Sequence, residues 1–402
     1  MGKPKIRFRG YTDDWEQRKL GDWGNFYYGR SCPKWSVTED ATIPCIRYGE
    51  LYTKFGAKID RVYSYTNMPP ENLRFSKGTE VLIPRVGEDP MDYNHCTWLS
   101  MQDVAIGEMI SVFNTDNNPL FTATMFNATL QNEFAMRVEG GSVTNLYFEK
   151  LKNIEVSFPS IPEQEKIASY FESLDHLITL HQRKCEETKK LKKYMLQKMF
   201  PQNGQVVPEI RFSGFTDDWE QRKFDEIVEK YEDPVETPHD GYERLGIRSH
   251  AKGTFHSFVE AGEELETAKM HRVAAGNFIV NITFGWEHAV AITDENDAGK
   301  LVSHRFPQFK FNDGQIPEFY RYVIRDEKFK HHLWLSSPGG AGRNRVLKLS
   351  DMLEYKMKFP SVEEQKKIAA YFTDLDHLIT LHQNKCDELK KIKKFMLQNM
   401  FV

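Results

Sequence analysis

Two long stretches of the chain carry apolar side chains at helical spacing. After Ile167 the apolar positions follow steps of about four and three residues, and no glycine or proline interrupts them until Pro201. A second stretch, from Ile368, repeats this pattern. The apolar ladders are Ile167, Phe171, Leu174, Ile178, Cys185, Met195 and Met199 in the first stretch, and Ile368, Phe372, Leu375, Ile379, Cys386, Met396 and Met400 in the second. The pattern predicts two long helices.

The start of each helix is marked by a serine followed three residues later by a glutamate. Ser160 with Glu163, and Ser361 with Glu364, have the spacing of a capping box directly before the apolar run. A helix of roughly 39 residues would be about 58 Å long, which suits a coiled coil better than an average globular helix. Polar positions such as His181 interrupt the ladder. We predict that the two helices bury their seams against each other as an intramolecular antiparallel coiled coil.

The chain repeats itself in two places. Residues 4–19 (PKIRFRGYTDDWEQRK) recur as 208–223 (PEIRFSGFTDDWEQRK), an offset of 204 residues. Residues 158–200 recur as 359–401, an offset of 201, and 31 of the 43 positions are identical. The stretches between these matched ends share almost nothing. The chain therefore consists of two copies of one plan, each with a short constant lead, a variable module and a constant helix.

Both variable modules contain short β-rich runs punctuated by glycine, asparagine and proline. Examples are 80–84, 151–158 and 277–284, which predict strand-dominated mixed modules. The expected fold class is α+β, with two globular modules, two long helices and a pseudo-two-fold repeat. The predicted boundaries are 1–157 for the first lead and module, 158–200 for the first helix, 201–207 for a linker, 208–358 for the second lead and module, and 359–402 for the second helix.

Composition describes an ordinary globular protein without a membrane span. The chain has 402 residues, 40% of them hydrophobic, and 54 Lys and Arg against 58 Asp and Glu give a net charge of -4. The apolar runs are far shorter than the ~20 residues that cross a bilayer, and the N-terminus lacks a signal-peptide core, so we expect a cytoplasmic protein. Five cysteines without a CxxC pair indicate neither a disulfide framework nor a thiolate zinc site.

Sequence motifs for catalysis or cofactor binding are weak. The chain has no phosphate-binding Walker loop and no HExxH, and the glycine-rich run at 338–342 lacks dinucleotide-binding spacing. The run Asn67-Met68-Pro69-Pro70 resembles the turn of amino-methyltransferases only superficially. The pair His331-His332 and the run 286–288 have no partner at metal-ligand spacing, so we expect ordinary histidines and no metal.

Basic and amide side chains in the modules are candidates for nucleic-acid contacts. Arginine reads guanine and asparagine reads adenine in the major groove, and nearby glycines allow close approach to a phosphate. For any single residue, an ordinary salt bridge or loop contact is the favoured interpretation, and only as groups do these residues favour nucleic acid. The candidates are Arg47, Tyr48, Lys54, Lys58, Arg85 and Asn145 in the first module, and Arg248, His250, Lys252, His304, Arg305, Arg343, Asn344 and Arg345 in the second.

Lysines also cluster near the ends of both predicted helices. The clusters are Lys189, Lys190, Lys192, Lys193 and Lys198 in the first helix, and Lys390, Lys391, Lys393 and Lys394 in the second. Two interpretations stay open. The lysines either form a solvated face with the neighbouring glutamates and aspartates, or they present a protein-binding or phosphate-binding surface twice.

Two unlike modules, each followed by a helix with the pattern FPSxxEQxKIAxYFxxLDHLITLHQ, resemble the specificity subunits of Type I restriction-modification systems. The resemblance covers essentially the whole chain and is strongest in 158–200 and 359–401. The leads TDDWEQRK at 12–19 and 216–223 belong to the same pattern. The strings IPCIRYGE at 43–50 and SPGGAGRNR at 337–345 are also similar to strings found in modules of this family.

The resemblance implies a DNA reader without catalytic activity of its own. Each module would be a target recognition domain that reads one half of a bipartite, asymmetric target in double-stranded DNA, and the helices would set the spacing. Two modification subunits would dock on the repeated surface and bind S-adenosylmethionine, which this chain would not bind, and restriction subunits would join them. The seam residues Ile167, Phe171, Leu174, Ile178, Ile368, Phe372, Leu375 and Ile379 would pair the helices or dock these partners.

Two other classes of function remain open at this point. A methyltransferase or nuclease acting alone would need a cofactor pocket that the sequence does not display. A scaffold would use the helices and leave the modules without a role in reading DNA. Binding of S-adenosylmethionine by the isolated chain would favour the enzyme, and loss of sequence discrimination by the assembly would favour the scaffold.

Overall fold

The computed structural model of the chain describes residues 3–202, 204–264, 269–339 and 345–401. It divides into two units. Unit 1 consists of Met1–Arg183 and His382–Val402, and unit 2 consists of Lys184–Leu381. Each unit therefore contains one lead, one module, the first part of one long helix and the last part of the other. None of the described helices is long and apolar enough to span a membrane.

Unit 1 is built around several small sheets. Its strands are β1 Glu16–Lys19, β2 Gly24–Tyr28, β3 Ile43–Ile46, β4 Lys58–Ile59, β5 Ser64–Thr66, β6 Phe75–Lys77, β7 Glu80–Pro84, β8 Val86–Gly87, β9 Thr97–Leu99, β10 Gln102–Ile106, β11 Ile110–Thr115, β12 Glu139–Gly140, β13 Thr144–Asn145 and β14 Glu155–Phe158. They form sheets in the orders β2-β11-β7-β9-β4, β5-β3-β10-β6, β12-β13-β8 and β1-β14. The lead strand β1 pairs antiparallel with β14, which directly precedes the long helix.

Unit 1 also contains helices, one of which packs against β7 and β9 of the five-stranded sheet. They are α1 Leu20–Trp23, α2 Tyr48–Thr53, α3 Pro119–Thr129, α4 Gln131–Ala135, α5 Phe148–Leu151 and the long α6 Ile161–Lys198. The amide side chain of Asn118 caps α3 by accepting a bond from the Phe121 backbone, and Pro119 occupies the first helical turn, where its missing N–H costs nothing.

Unit 2 repeats this arrangement with different residues. Its strands are β15 Glu220–Lys223, β16 Val228–Tyr231, β17 Pro234–Val235, β18 Tyr242–Ile247, β19 Thr254–Val259, β20 Met270–Arg272, β21 Phe278–Val280, β22 Val290–Ile292, β23 Leu301–Ser303, β24 Gln308–Phe311 and β25 Lys356–Phe359. Its helices are α7 Pro317–Val323, α8 Glu327–Leu335, α9 Leu349–Leu353 and the long α10 Val362–Asn399. The sheets run β16-β24-β21-β22, β17-β20-β23-β18-β19 and β15-β25.

The two modules share a topology although their sequences differ. In unit 1, β3 pairs antiparallel with β5 and parallel with β10. In unit 2, β18 pairs antiparallel with β19 and parallel with β23. The predicted α+β class and the pseudo-two-fold repeat are confirmed by this correspondence.

The predicted strand runs are only partly correct. The run 80–84 forms β7 as predicted. In 151–158 only Glu155–Phe158 is a strand, because the short helix α5 ends at Leu151 and a turn follows it. In 277–284 only Phe278–Val280 is a strand, since the Asn281 side chain binds the Thr283 backbone and forms a local turn.

The long helices begin where the sequence predicts. Each has 38 residues, and α6 starts directly after Ser160 and α10 directly after Ser361. The capping-box interpretation of the glutamates is wrong. Both carboxylate oxygens of Glu163 accept bonds from the Arg7 guanidinium at 2.7 Å, and Glu364 binds Arg211 in the same way at 2.8 and 2.7 Å. These glutamates attach the lead to the helix instead of capping it.

The next residue in each helix attaches the module to the helix. The Gln164 side-chain oxygen accepts a bond from the Asn118 backbone at the start of α3, and its amide nitrogen donates to Asn117. In unit 2, Gln365 accepts from the Ile316 backbone at the start of α7. The repeated Glu-Gln pair therefore joins lead, helix and module at one point in each unit.

The helices pack antiparallel within each unit. In unit 1, Asp175 pairs with Lys393 at 2.5 Å, and His181 Nδ1 lies 3.0 Å from His382 Nδ1. In unit 2, the Cys185 thiol lies 3.8 Å from the Ile379 carbonyl oxygen, and Lys192 pairs with Asp376. Residue numbers rise along one helix as they fall along the other, so the antiparallel direction predicted from the sequence is confirmed in both units.

A phenylalanine just beyond the end of each long helix fills the core of a unit. In unit 1, the Phe401 ring lies 5.8 Å from Phe171 and 6.4 Å from Trp15, measured between ring centres. In unit 2, Phe200 lies 6.0 Å from Phe372 and 5.8 Å from Trp219. Each core thus includes the end of a helix that begins in the other unit.

The predicted seam residues lie mostly inside these cores. Ile167, Phe171, Leu174 and Ile178 are buried in unit 1, and Ile368, Phe372 and Leu375 are buried in unit 2, while Ile379 is half-buried. Side chains buried in their own unit are not available as a surface for a partner.

Candidate nucleic-acid interface

Equivalent arginines follow corresponding strands of the two modules. Arg47 directly follows β3 and Arg248 directly follows β18, and both are preceded by a buried isoleucine. The Arg47 backbone N–H donates to Glu50 at 3.0 Å, which fixes the start of α2 and leaves the guanidinium free of that bond. The Arg248 guanidinium donates to the Thr254 backbone carbonyl and lies 5.4 Å from the Phe255 ring centre. A rigid strand end therefore presents an arginine in each unit.

Exposed aromatic rings line the strand next to each arginine. The neighbouring strand is β5 in unit 1, with Tyr65 on it and Tyr63 just before it, and β19 in unit 2, with Phe255 and Phe258. Phe258 is 58% exposed. Both strands are sheet edges. Neighbouring exposed rings on an edge strand form a candidate interaction surface, so we call β5 and β19 the aromatic edge strands.

A tryptophan extends the aromatic surface of unit 1. Trp35 is 72% exposed and lies on a short 3-10 turn. The turn is held rigidly, because the buried hydroxyl of Ser36 binds Thr66 at 2.8 Å on the aromatic edge strand. Flat apolar side chains of this kind contact thymine methyl groups or enter between base steps in DNA complexes.

Basic side chains surround the Tyr63 ring. The Lys54 ammonium lies 5.1 Å from the ring centre, and so does the Arg61 guanidinium. Lys54 also pairs at 3.2 Å with Glu50, a buried carboxylate that accepts a bond from Ser64. The charge of Lys54 is thus partly neutralised. Arg61, which was not among the predicted candidates, adds positive charge.

Arg85 and Asn145 lie together in unit 1. Asn145 pairs with Val86, the residue after Arg85. The Arg85 guanidinium lies 4.7 Å from the Tyr28 ring centre and 5.5 Å from that of Tyr147. Burial and the bond from Tyr28 to a glutamate raise the pKa of this tyrosine to about 12, so the ring stays neutral. Arg85 is therefore held between two rings instead of extending into solvent.

The turn between β18 and β19 presents His250 and Lys252 to solvent. Both side chains are exposed. His250 and Ala251 adopt positive φ angles of 63° and 49°. This strained turn is fixed because their backbone N–H groups donate to the carbonyls of Glu287 and His288 at 2.9 and 2.8 Å. Two basic side chains are thereby held beside Arg248.

The remaining candidates of unit 2 lie at a second turn. His304 and Arg305 are exposed between β23 and β24. The Arg305 carbonyl accepts a bond from Ile282, whose carbonyl accepts from Leu347, two residues after Arg345. Arg345 lies 5.0 Å from the exposed Trp334 ring. Arg343 and Asn344 lie outside the described residues, and so do three residues of the glycine-rich run.

The lysine clusters of the long helices have mixed surroundings. Lys192 is half-buried, and burial lowers its pKa although Asp376 opposes this shift. Lys393 pairs with Asp175 in unit 1, whereas Lys189 is exposed and pairs with Glu186 on its own helix. Two of the lysines therefore hold helices together, and both interpretations of the other lysines stay open.

The histidines and cysteines show no arrangement for metal chemistry within the described part of the chain. His288 is buried, its Nε2 lies 2.6 Å from the Ile324 carbonyl oxygen, and burial lowers its pKa. All five cysteines are buried, and none of them forms a disulfide bond. Residues 3–202, 204–264, 269–339 and 345–401 contain no group of three or more His, Cys, Asp or Glu that could hold a metal ion.

The strand-end arginines were predicted from the sequence, but the aromatic edge strands were not. Tyr63, Tyr65, Phe255, Phe258 and Trp35 resemble ordinary core residues in the sequence because hydrophobicity alone does not reveal which face of a strand is covered. A usable signal was present in Tyr63 to Tyr65, where aromatic residues alternate with polar ones. This signal suggested an edge strand but not its exposed face.

Comparison with known proteins adds to this geometry. A family model described as Type I restriction modification DNA specificity domain matches residues 12–190 and again 216–391. A Type I restriction enzyme MjaVIII specificity subunit of Methanocaldococcus jannaschii is 23% identical over 64% of this chain and 64% of that protein. A putative MjaX specificity subunit from the same organism is 24% identical over 61% of this chain and 58% of that protein.

The chain thus spans about 64% and 58% of the lengths of these two curated relatives. A crystal structure of a Type I restriction-modification S subunit from M. genitalium superposes with a TM-score of 0.61 at 12% identity, covering 100% of this chain and 99% of that one. This likeness shows a common fold. Because the family model covers most of both repeats, the chain belongs to the Type I restriction modification DNA specificity domain family.

Proposed function

We propose that the chain is the sequence-reading, non-catalytic subunit of a Type I restriction-modification complex. Each module reads one half of a bipartite, asymmetric target in double-stranded DNA, and the length of the 38-residue helices sets the spacing between the halves. The observation that carries the proposal is the pair of equivalent surfaces in the two modules, each with a strand-end arginine beside an aromatic edge strand.

The differences between these two surfaces support two different half-sites. Arg47 and Arg248 are equivalent, but the next residue is Tyr48 in unit 1 and Ser249 in unit 2. The edge strands carry tyrosines in unit 1 and phenylalanines in unit 2. Hydroxyl groups donate and accept hydrogen bonds, whereas phenylalanine makes only apolar contacts. The two surfaces thus have the same backbone arrangement but different exposed side chains. This combination suits the reading of two unlike DNA sequences.

The proposed contacts combine phosphate binding with base reading. Lysine and arginine neutralise phosphates, which makes affinity depend on salt, and only contacts to base edges distinguish sequences. The exposed Lys252 and Arg305 suit phosphate contacts, whereas Arg47 and Arg248 emerge from rigid strand ends and suit base edges. A net charge of -4 does not oppose DNA binding, since only the DNA-facing side needs positive charge.

Repeated exposed residues support two identical partner subunits. The lead strands β1 and β15 share the sequence EQRK, and nearly all of their residues are exposed. On the helices, Leu177 and Leu378 are equivalent and exposed. Identity at exposed positions is not needed for the fold, so it fits a common binding partner. We propose that two methyltransferase subunits dock on these surfaces and bind S-adenosylmethionine, and that restriction subunits join the complex.

Selection from a random duplex library tests the proposed reading. The chain is assembled with the methyltransferase subunit encoded beside it, and bound duplexes are recovered and sequenced at two salt concentrations. We expect enrichment of two short unlike elements at one fixed separation, and lower total binding but unchanged elements at higher salt. Recovery of a single element, or of none from an intact assembly, would contradict two-module reading.

A further inference from the structure

Unit 2 contains a cavity that the DNA-reading function does not use. It has a volume of about 530 Å³ and lies between the α7–α8 connection, β25 and the lead residue Trp219. This volume is within the range of roughly 300–1,000 Å³ that is common for small-molecule sites. Its position beside the lead differs from the turns that carry Arg248 and Arg305. The cavity is therefore a separate candidate site.

The cavity wall carries an excess of positive charge. Arg325, Lys328 and Lys356 line it, and none of them has a carboxylate partner among the residues that the structure describes. Asp326 is the acidic residue among the described lining residues, and it accepts bonds from the Lys328 backbone and, at 3.5 Å, from the Tyr355 hydroxyl. Like charges around a cavity repel each other, and a bound anion would relieve this repulsion.

The same wall is aromatic. Trp219, Tyr322 and Tyr355 line the cavity, and the Arg325 guanidinium lies 5.8 Å from the Tyr322 ring centre. Trp219 is only 3% exposed, and its indole N–H has no hydrogen-bond partner among the described residues. A bound ligand could satisfy this donor, although the equivalent Trp15 of unit 1 also lacks a partner, so the donor alone does not distinguish the cavity.

The geometry points to a binding site for a nucleoside phosphate in this cavity. The three free cations suit a phosphate group, with the arginine fork able to bind two of its oxygens. The aromatic walls suit a flat base, and the Trp219 indole N–H supplies a donor for a base or sugar oxygen or nitrogen. A cavity of about 530 Å³ fits a mononucleotide better than an extended peptide or duplex.

Unit 1 provides an internal comparison. Its corresponding cavity, beside Gln17 and β14, has a volume of about 510 Å³. There Arg137 is paired with Glu133 at 2.6 Å, and no tryptophan is among the described lining residues. This cavity is similar in size to the cavity of unit 2 but has neither free cations nor an aromatic wall. It is therefore a control for the shape of the cavity alone.

The test measures binding of N-methylanthraniloyl-AMP to the purified full chain by fluorescence anisotropy. We expect saturable binding of one probe per chain, with displacement by unlabelled AMP and much weaker displacement by adenosine or inorganic phosphate. The double variant Arg325→Ala/Lys356→Ala should bind the probe at least about tenfold more weakly, because it removes two charged donors to the phosphate. The Trp219→Phe variant keeps a ring but removes the donor, and should weaken binding several-fold.

Matched controls separate this site from general charge effects. Arg137→Ala, in the corresponding cavity of unit 1, should leave probe binding unchanged, and circular dichroism should show that every variant remains folded. Lack of saturation with the folded wild-type chain would overturn the proposal, and so would equal binding by the double variant. Displacement of the probe by a short random duplex but not by AMP would also overturn it, because the cations would then belong to a DNA path. The DNA-reading proposal is tested separately and does not depend on this result.

Discussion

Replacement of Arg7 by alanine should destabilise unit 1 by about 3–5 kcal/mol, because removal of one partner from a buried ion pair leaves an uncompensated charge. The partner is Glu163, which is 1% exposed on its side chain and binds Arg7 through both oxygens. The hydrogen bond from Arg7 to Glu163 also raises the pKa of the arginine. Arg211→Ala should have the same effect on unit 2, where Glu364 is equally buried.

Chemical denaturation followed by circular dichroism measures this loss. Arg18→Ala is the matched control, since Arg18 pairs with Glu16 at the surface and exposed pairs contribute about 0–1 kcal/mol. The double variant Arg7→Met/Glu163→Gln should recover part of the stability, because it leaves no buried charge. A loss below about 1 kcal/mol for Arg7→Ala would show that the lead is not attached to the helix through this pair.

Arg47→Ala and Arg248→Ala should each lower the affinity for the complete target by about 10- to 100-fold, since a bidentate arginine–guanine contact contributes about 1–3 kcal/mol. The Arg47 backbone bond to Glu50 is independent of the side chain, so the start of α2 should remain intact. The effects should be specific to one half-site each. Affinity is measured by fluorescence anisotropy with the assembled complex and duplexes in which one half is scrambled.

The two substitutions and the two scrambled duplexes form thermodynamic cycles. On a duplex in which the half-site read by Arg47 is scrambled, Arg47→Ala should cause no further loss of affinity. On a duplex in which the other half-site is scrambled, it should cause the full loss of affinity. Arg248→Ala should show the opposite pattern. Arg137→Ala and Lys310→Ala, each of an ion-paired residue away from the arginine turns, are the controls. Equal losses on both scrambled duplexes would exclude the assignment of one arginine to each half-site.

The long helices were predictable because their signals are local and repeated. A ladder from Ile167, with no glycine or proline before Pro201, identifies a helix without any knowledge of its neighbours. Antiparallel packing was predicted as the simplest arrangement of two helices in one chain, and the contacts within each unit confirm it. The Glu163 contact was not predicted, because an arginine 156 residues away competes for the carboxylate with the local backbone. The recurrence of Arg7 and Glu163 as Arg211 and Glu364 was the signal that could have revealed it.

The recognition surface was less predictable than the helices. Strands of two to six residues are too short to show a clear alternation of hydrophobic and polar residues. Which of their faces is exposed depends on the order of the strands in the sheet. Arg47 and Arg248 could be identified by residue type, whereas Arg85 could not be distinguished as a residue held between the Tyr28 and Tyr147 rings. Long-range packing determines whether an arginine is exposed or held between rings, and the residue type alone does not indicate this packing.

The central claim is that this chain supplies two unlike DNA-reading modules to a methyltransferase. Genome-wide mapping of methylated bases tests it most directly, in cells that make the chain with its methyltransferase subunit and in cells that lack the chain. We predict one new interrupted motif with two unlike halves, lost with the chain and weakened by Arg47→Ala or Arg248→Ala. An active, assembled methyltransferase that produces no such motif would contradict the account.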